Sequence, residues 1–357
     1  MTLALDFGSA SVKAILVGGS HREKDFFSFN LGFRSPILNR SSLLSAIRIV
    51  EALSGEVLLE GERILPNLYV CVGLPVYDVS EISSQPVILT GQALSSLDLP
   101  ILDVGAQMVR FRERVSIAPV MAEDVVKWLP FKLDLGEVAN YIENKKVYSS
   151  ILPVTPRDLY IEQALARARL IDLFRSQKIE VDFPEVYLSG AVFSRVPYLE
   201  QAVLMTLDAL QPRTPFKIWL DRNQILPVSG LIKYHSTQEF SQLGDELTPL
   251  FLATTLSLVE SATVSIDLGF GEPQEIDLKK GDLYVFPLNL GEQALVKVTV
   301  SSAKKRGEVY EVTGGAVGIV FDLRGRPLDL PESSRSRCDL LKLWDGQIGA
   351  SGRLKRI

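Results

Sequence analysis

Two short apolar runs open the chain, Leu3-Ala-Leu5 and Val12 to Val17, and the polar stretch Asp6-Phe-Gly8-Ser9-Ala-Ser11 separates them. Apolar runs flanking a glycine-containing polar turn predict a β-hairpin. The same pattern returns as Pro100-Ile-Leu-Asp103-Val-Gly105-Ala-Gln-Met108-Val-Arg-Phe111. Leu43, Leu44, Ile47, Val50 and Leu53 fall at helical spacing and predict an amphipathic helix over 42–54, after which 67–74 reads as a buried strand ended by Pro75. The strongest helix is expected over 155–177. Thr155 can cap it, Pro156 suits its first turn, and Leu159, Ile161, Leu165, Ala168, Leu170, Ile171 and Phe174 give it an apolar face. Val186-Tyr-Leu-Ser189-Gly190-Ala191 reads as a strand with a small-residue turn, leading into a helical run over 196–210.

Past residue 235 the texture changes. Short strands are expected near 263–268, 275–278, 282–288, 294–300 and 317–323, set apart by Gly, Lys and Pro turns. The expected division is therefore a first domain over 1–235 and a β-rich domain over 236–357. Gly314-Gly315-Ala-Val-Gly318 looks like a dinucleotide loop, but a strand pattern follows it rather than a helix, so it reads as a β-turn.

The 357 residues are 46% apolar, enough for a two-lobed core. A net charge of −5 argues against a nucleic-acid binder held by bulk electrostatics. Lys304-Lys305-Arg306 and Arg353-Leu-Lys355-Arg356 read as a solvated turn and tail, and Arg324-Gly325-Arg326 as a solvated turn held by Asp322. Cys71 and Cys338 lack metal-ligand spacing and point to a reduced, cytoplasmic setting. The first residues do not have the layout of a signal peptide, and 251–259 is too short and too rich in Thr and Ser to span a bilayer, so no transmembrane segment is expected. With only His21 and His235, a zinc site or a histidine-based triad has little material.

The first hairpin tip brings backbone N–H groups, a carboxylate, two hydroxyls and an ammonium to one small volume, which suits phosphate. Gly8 permits close backbone approach, Ser9 and Ser11 can donate hydrogen bonds, Lys13 supplies charge, and Asp6 can orient a metal-bound water. An ordinary hairpin with a polar turn is the other reading. Two such hairpins resemble the paired phosphate loops of the actin, hexokinase and heat-shock-chaperone ATPase superfamily. That resemblance implies an α/β, actin-like (ribonuclease H-like) ATPase fold with a β-rich C-terminal part, and ATP and Mg²⁺ as cofactors. Asp103 and Gly105 would close the site from the second side, Asp6 and Asp103 would serve the metal, and Gly190 and Ala191 would meet the adenosine.

A more specific series lies downstream. Leu188-Ser-Gly-Ala191, Leu207-Asp-Ala-Leu-Gln-Pro212, Ile218-Trp-Leu-Asp-Arg222, Ile225-Leu-Pro-Val-Ser-Gly-Leu231 and Gly314-Gly-Ala-Val-Gly-Ile-Val-Phe-Asp-Leu-Arg-Gly-Arg-Pro-Leu328 occur in order, followed by Arg335, Arg337 and Leu341 to Trp344. This series resembles the glutamate mutase L family, accessory or repair proteins of adenosylcobalamin-dependent mutases built on the actin-like fold. It departs from that family at the tips, where Ser-Ala-Ser replaces a Thr-rich first loop and Ala106-Gln107-Met108 replaces Gly and Thr in the second. The stretch over 75–100, where connecting helices and a catalytic carboxylate or amide are expected, is also short. The resemblance implies a mutase subunit as protein partner and at most weak ATPase activity. No Asp-x-His-x-x-Gly segment is present for cobalamin itself. The alternative is a catalytically inactive scaffold of the same fold serving a pilus, secretion or division assembly.

Overall fold

The computed structural model describes residues 1–8, 11–20, 24–29, 40–73, 87–105, 108–112, 114–117, 119–148, 151–244, 248–300 and 307–354. The chain begins with β1 (Thr2–Phe7), β2 (Val12–Val17) and β3 (Lys24–Phe29), then α1 (Arg40–Ser54), a small hairpin of β4 (Leu59–Glu60) and β5 (Arg63–Ile64), β6 (Asn67–Val72), β7 (Ile88–Leu89) and α2 (Thr90–Ser95). Next come β8 (Ile101–Val104), β9 (Val109–Phe111), β10 (Arg114–Ser116), α3 (Ala122–Val126), α4 (Leu135–Val147), α5 (Pro156–Ser176), β11 (Glu185–Ser189), α6 (Ala191–Ser194), α7 (Leu199–Leu210), β12 (Phe216–Leu220), α8 (Leu226–His235) and α9 (Thr237–Ser241). The remainder is β13 (Leu250–Ser257), β14 (Ala262–Asp267), β15 (Gln274–Leu278), β16 (Leu283–Phe286), β17 (Gln293–Val300), β18 (Glu308–Thr313), β19 (Gly318–Asp322) and α10 (Ser334–Leu354).

Two sheets repeat one plan. The first has the order β3-β2-β1-β6-β7, an antiparallel meander with β6 parallel to β1 and β7 parallel to β6. The second starts in the same order, β10-β9-β8-β11-β12, with β11 parallel to β8 and β12 parallel to β11, and continues through β13, β19 and β16. A hairpin meander feeding two parallel strands, used twice in one chain, is the actin-like, ribonuclease H-like architecture. β1 explains its unbroken apolar run by being covered on both faces. Leu3 and Leu5 pack with Leu43, Ile47 and Val50 of α1, while Ala4 joins Ile15 and Cys71 against Val228, Leu231 and Ile232 of α8.

α2 carries the chain from the first sheet to the second, and α8, entered from β12, returns to cover the first. The two helices meet without side chains between them: a Cβ on Gly230 would be driven into the Ala93 carbonyl oxygen. The Ser96 hydroxyl reaches both Ala93 O and Gly230 O at 2.7 Å, locking the crossing.

α5 begins where its caps place it. The Thr155 hydroxyl accepts from the Asp158 N–H, and the Asp158 carboxylate accepts from the Thr155 N–H, both at 3.1 Å. Its inner face packs with α7 on one side of the second sheet, in a core that includes Leu102, Val104, Phe111 and Leu188.

The texture change at residue 235 does not part the molecule at that point, because β13 pairs with β12 and β19 with β13 inside the second sheet. Among the described strands after residue 235, those of the four-stranded sheet β15-β14-β17-β18 lie outside it, packing Val264, Ile266, Val296 and Val298 on Leu256, Ile319 and Phe321. The glycine-rich 314–318 turn is a backbone contact, since a Cβ on Gly315 would overlap Leu252 of β13.

The 324–326 turn is not solvated. Arg324 is fully buried and donates to Asp208 Oδ1 at 2.6 Å and to Asp322 Oδ2 at 2.9 Å, with its guanidinium 4.8 Å from the Trp344 ring centre. Arg167 donates to Asp208 at 2.6 Å and Arg326 to Asp322 at 2.6 Å. Three guanidiniums and two carboxylates thus tie α5, α7 and the end of β19 together, with α10 capping them through Trp344. Local sequence suggests a polar turn because Asp208, whose charge holds Arg324 inside, lies far away in the chain.

Candidate functional site

Both acidic-glycine turns line one cavity. Its walls include Asp6, Gly8 and Lys13 from the first hairpin, Asp103, Gly105 and Met108 from the second, Thr90 at the start of α2, and Ser189, Gly190 and Ala191 after β11. Ser11 does not line it; its hydroxyl is buried and without a hydrogen-bond partner among the described residues. Ser9, Ala106 and Gln107 lie outside the described residues. Gly190 has φ of +89°, and a Cβ there would overlap the Val104 carbonyl and the Asp103 carboxylate, so this turn needs glycine to close on the second hairpin.

The two hairpins are electrostatic copies. Strand register sets Lys13 directly opposite Asp6 and Arg110 directly opposite Asp103. Lys13 Nζ lies 3.1 Å from Asp6 Oδ2, with both side chains buried, and Arg110 Nη1 lies 3.4 Å from Asp103 Oδ2. The remaining Asp6 oxygen accepts from the Thr90 hydroxyl at 2.7 Å and the Cys71 thiol at 3.3 Å. Burial, then the adjacent Asp6 charge, pushes the Cys71 thiol well above its ordinary pKa, so it stays protonated as a donor. Burial also raises the Asp103 carboxyl, against the pull of Arg110 and Lys13.

Arg110 further donates to the Gly73 carbonyl at the end of β6, at 3.2 Å, and to Met108 Sδ at 3.3 Å. One side chain of the second sheet is thereby fastened to the first. The sequence reading passed over Arg110, Thr90 and Asp221. Arg110 carried a signal: each hairpin reads Asp-x-Gly followed by a basic residue seven positions after the acid, the spacing that a hairpin turns into a cross-strand pair.

Asp221 sits behind Ser189, whose hydroxyl donates to it at 2.9 Å, and its oxygens accept the N–H groups of Ile225 at 2.8 Å and Leu226 at 3.0 Å at the entry to α8. Burial lifts its pKa to about 6 despite these hydrogen bonds. A carboxyl raised in the folded state holds a proton that the unfolded chain has released, so stability falls as pH rises from about 4 through 6. We expect Asp221→Asn to flatten that slope, worth about 2 kcal/mol between these two conditions, in urea unfolding at pH 4.5 and pH 7.

The cavity measures about 50 Å³. Pockets that take cofactors usually span roughly 300 Å³ or more. Among the described residues no three His, Cys, Asp or Glu side chains gather as a metal site, so a cation here would rest on two carboxylates that already have partners. As it stands, the described part of the cavity is smaller than such a cofactor pocket.

No family model matches the chain, and no curated protein matches it by sequence. Among solved structures it is similar to the activator of the 2-hydroxyisocaproyl-CoA dehydratase from Clostridium difficile with bound ADPNP, at 15% identity over 69% of this chain and 97% of that one, with a TM-score of 0.37. It is also similar to the ethanolamine utilization protein EutJ from Carboxydothermus hydrogenoformans, at 12% identity over 66% and 89%, with a TM-score of 0.35. A third is component A of the (R)-2-hydroxyglutaryl-CoA dehydratase of Acidaminococcus fermentans, at 11% identity over 67% and 98%, with a TM-score of 0.38. The fold assignment stands on the duplicated strand order. Among the described residues no helix is long and apolar enough to cross a membrane, and Cys71 and Cys338 are free and buried.

Proposed function

We propose that this chain is an accessory or scaffold protein of the actin-like fold that acts through a protein partner and does not hydrolyse ATP. The observation that carries this reading is the internal neutralisation of the cleft: Asp6 by Lys13, and Asp103 by Arg110. Phosphoryl transfer to water depends on free carboxylates holding Mg²⁺ and positioning the nucleophile. Here each acid is paired with the cation of its own hairpin, and Met108 lines the cavity beside the second tip.

A second reading keeps ATP and Mg²⁺ as ligands held without turnover. It is favoured by the Lys13 ammonium and the Gly8, Gly105 and Gly190 turns sharing one cavity, and it requires the sheets to part at the Arg110–Gly73 contact. Calorimetric titration with ATP and Mg²⁺, on the wild type and on Lys13→Ala, separates the two. The closed-cleft reading expects no saturable heat from either protein; the second expects heat in the wild type that the variant loses.

The partner implied by the resemblance to the glutamate mutase L family is a subunit of an adenosylcobalamin-dependent mutase. The other candidate is a component of a pilus, secretion or division assembly. Neighbouring genes for mutase subunits would favour the first, and genes for pilus or secretion components the second.

A further inference from the structure

Two buried arginines are held in opposite ways. Arg324 places Nη1, Nη2 and Nε on carboxylate oxygens at 2.6, 2.9 and 3.0 Å. Arg110 is buried as deeply, at 3% exposure, yet its carboxylate contact is long, 3.4 Å to Asp103. Its other N–H groups go to a neutral carbonyl and a thioether, Gly73 O at 3.2 Å and Met108 Sδ at 3.3 Å, and Nε has no hydrogen-bond partner among the described residues. A buried cation with an unmet donor is destabilising in itself. Neutralising Asp103 does not require it, since the first hairpin balances Asp6 with a lysine at 3.1 Å.

The extra reach of arginine goes from one sheet to the other. The side chain leaves β9, passes over the start of α2 and ends on Gly73, the residue after β6. Gly91 of α2 leaves room for that path: a Cβ there would stand 3.0 Å from Arg110 Nε and 3.3 Å from its Cδ. Gly73, Asp103 and Met108, which hold the guanidinium, all line the cavity. Met108 suits the arrangement, because a thioether is a weak acceptor and leaves the Gly73 carbonyl as the stronger partner of Nη2. A second junction between the sheets is the α2–α8 crossing, where Gly230 and Ser96 set backbone on backbone. One junction is tight and the other loose, as in a pivot and its latch.

We propose that Arg110 is an autoinhibitory strap that holds the two sheets shut over the cavity, and that the cleft opens by breaking the Arg110–Gly73 contact about the α2–α8 crossing. Asp103 lies on the same hairpin as Arg110, so the ion pair travels with the second sheet and opening leaves neither charge alone. The proposal rests on the charge-balanced cleft of the proposed function, and the two fail separately: molecular shape reads the strap, whereas phosphate release reads hydrolysis.

Small-angle X-ray scattering of the whole chain tests it on the wild type, Arg110→Lys, Arg110→Met and Asp103→Asn, with circular dichroism confirming that each is folded. Lysine keeps a positive charge beside Asp103 but ends in one nitrogen instead of a fork, and cannot hold the carboxylate and the Gly73 carbonyl together. Asparagine removes the ion pair and leaves the bond from Arg110 to Gly73. Both Arg110 variants are expected to show a larger radius of gyration than the wild type, and Asp103→Asn the wild-type value. If Arg110→Met does not fold, Arg110→Lys decides. A folded Arg110→Lys protein as compact as the wild type overturns the proposal. So does an Asp103→Asn protein that expands as much as Arg110→Lys, because the ion pair rather than the strap would then hold the sheets.

Discussion

Replacing Arg324 by alanine is expected to destabilise the protein by about 3–5 kcal/mol, the range for removing one partner of a buried ion pair. The substitution strips Asp208 and Asp322 of their shared guanidinium while both carboxylates remain almost wholly buried. Arg167 and Arg326 keep one contact to each acid, which leaves the cluster two positive and two negative charges in the wrong geometry. The lost stacking on Trp344 adds to the effect by freeing α10. Urea unfolding monitored by Trp fluorescence measures it. The acid limb of the stability curve gives a second readout. Burial pushes the Asp322 carboxyl up, but Arg324 and Arg326 more than offset this and hold it at about 2. A depressed carboxyl stabilises fully above the unfolded value and loses that stabilisation as pH falls toward 2. Arg324→Ala is expected to shrink that acid-dependent loss, because much of the stabilisation it reports is then already missing at neutral pH.

The second large effect is expected from Gly230→Val. Gly230 lies in helical backbone, where valine has better intrinsic helix propensity than glycine, so the local contribution of the change is favourable by a few tenths of a kcal/mol. Steric overlap decides the sign. The new Cβ meets the Ala93 carbonyl, a backbone atom that cannot rotate aside, and relief comes only by separating α2 from α8. Overpacking of this kind costs about 3 kcal/mol. α2 links the two sheets and α8 leaves the second to pack on the first, so the separation also loosens the cavity that holds Asp6 and Asp103. A lowered urea midpoint, with faster amide exchange at Ala93 and Leu94, is the expected result.

What was legible in the sequence divides along physical lines. The hairpins, α1, α5 and the strands after residue 262 other than β18 announced themselves because their signals are local: alternation, helical spacing, and a capping threonine with proline at the first turn. β13 and α8 were hidden for the opposite reason. β13 is buried on both faces over most of its length, and α8 over its first two turns, so neither displays a polar stripe to set a period. The entry to α8 is held by Asp221, which precedes the helix and looks like an isolated acid in the sequence. α2 fell in the stretch over 75–100, which lacked helix signals; its six residues are stabilised by the crossing with α8 rather than by propensity.

The cleft was partly legible. The two Asp-x-Gly turns could be matched to each other, and the structure puts both on one cavity. Their chemistry was harder to read, because Lys13 looks like a free cation until strand register sets it opposite Asp6. Lys13 also feels Asp103 and Asp221, so one ammonium serves three carboxylates around the cavity. A site organised to balance its own charges differs from one organised to hold a metal, and that difference appears only when the two hairpins and the β11 turn are seen together.

The account turns on that balance, and steady-state phosphate release from ATP with Mg²⁺ tests it most directly. The wild-type protein is expected to release phosphate no faster than a protein-free blank. Turnover well above the blank, abolished by Asp103→Ala, would show that the paired carboxylates do catalyse hydrolysis and would contradict the account.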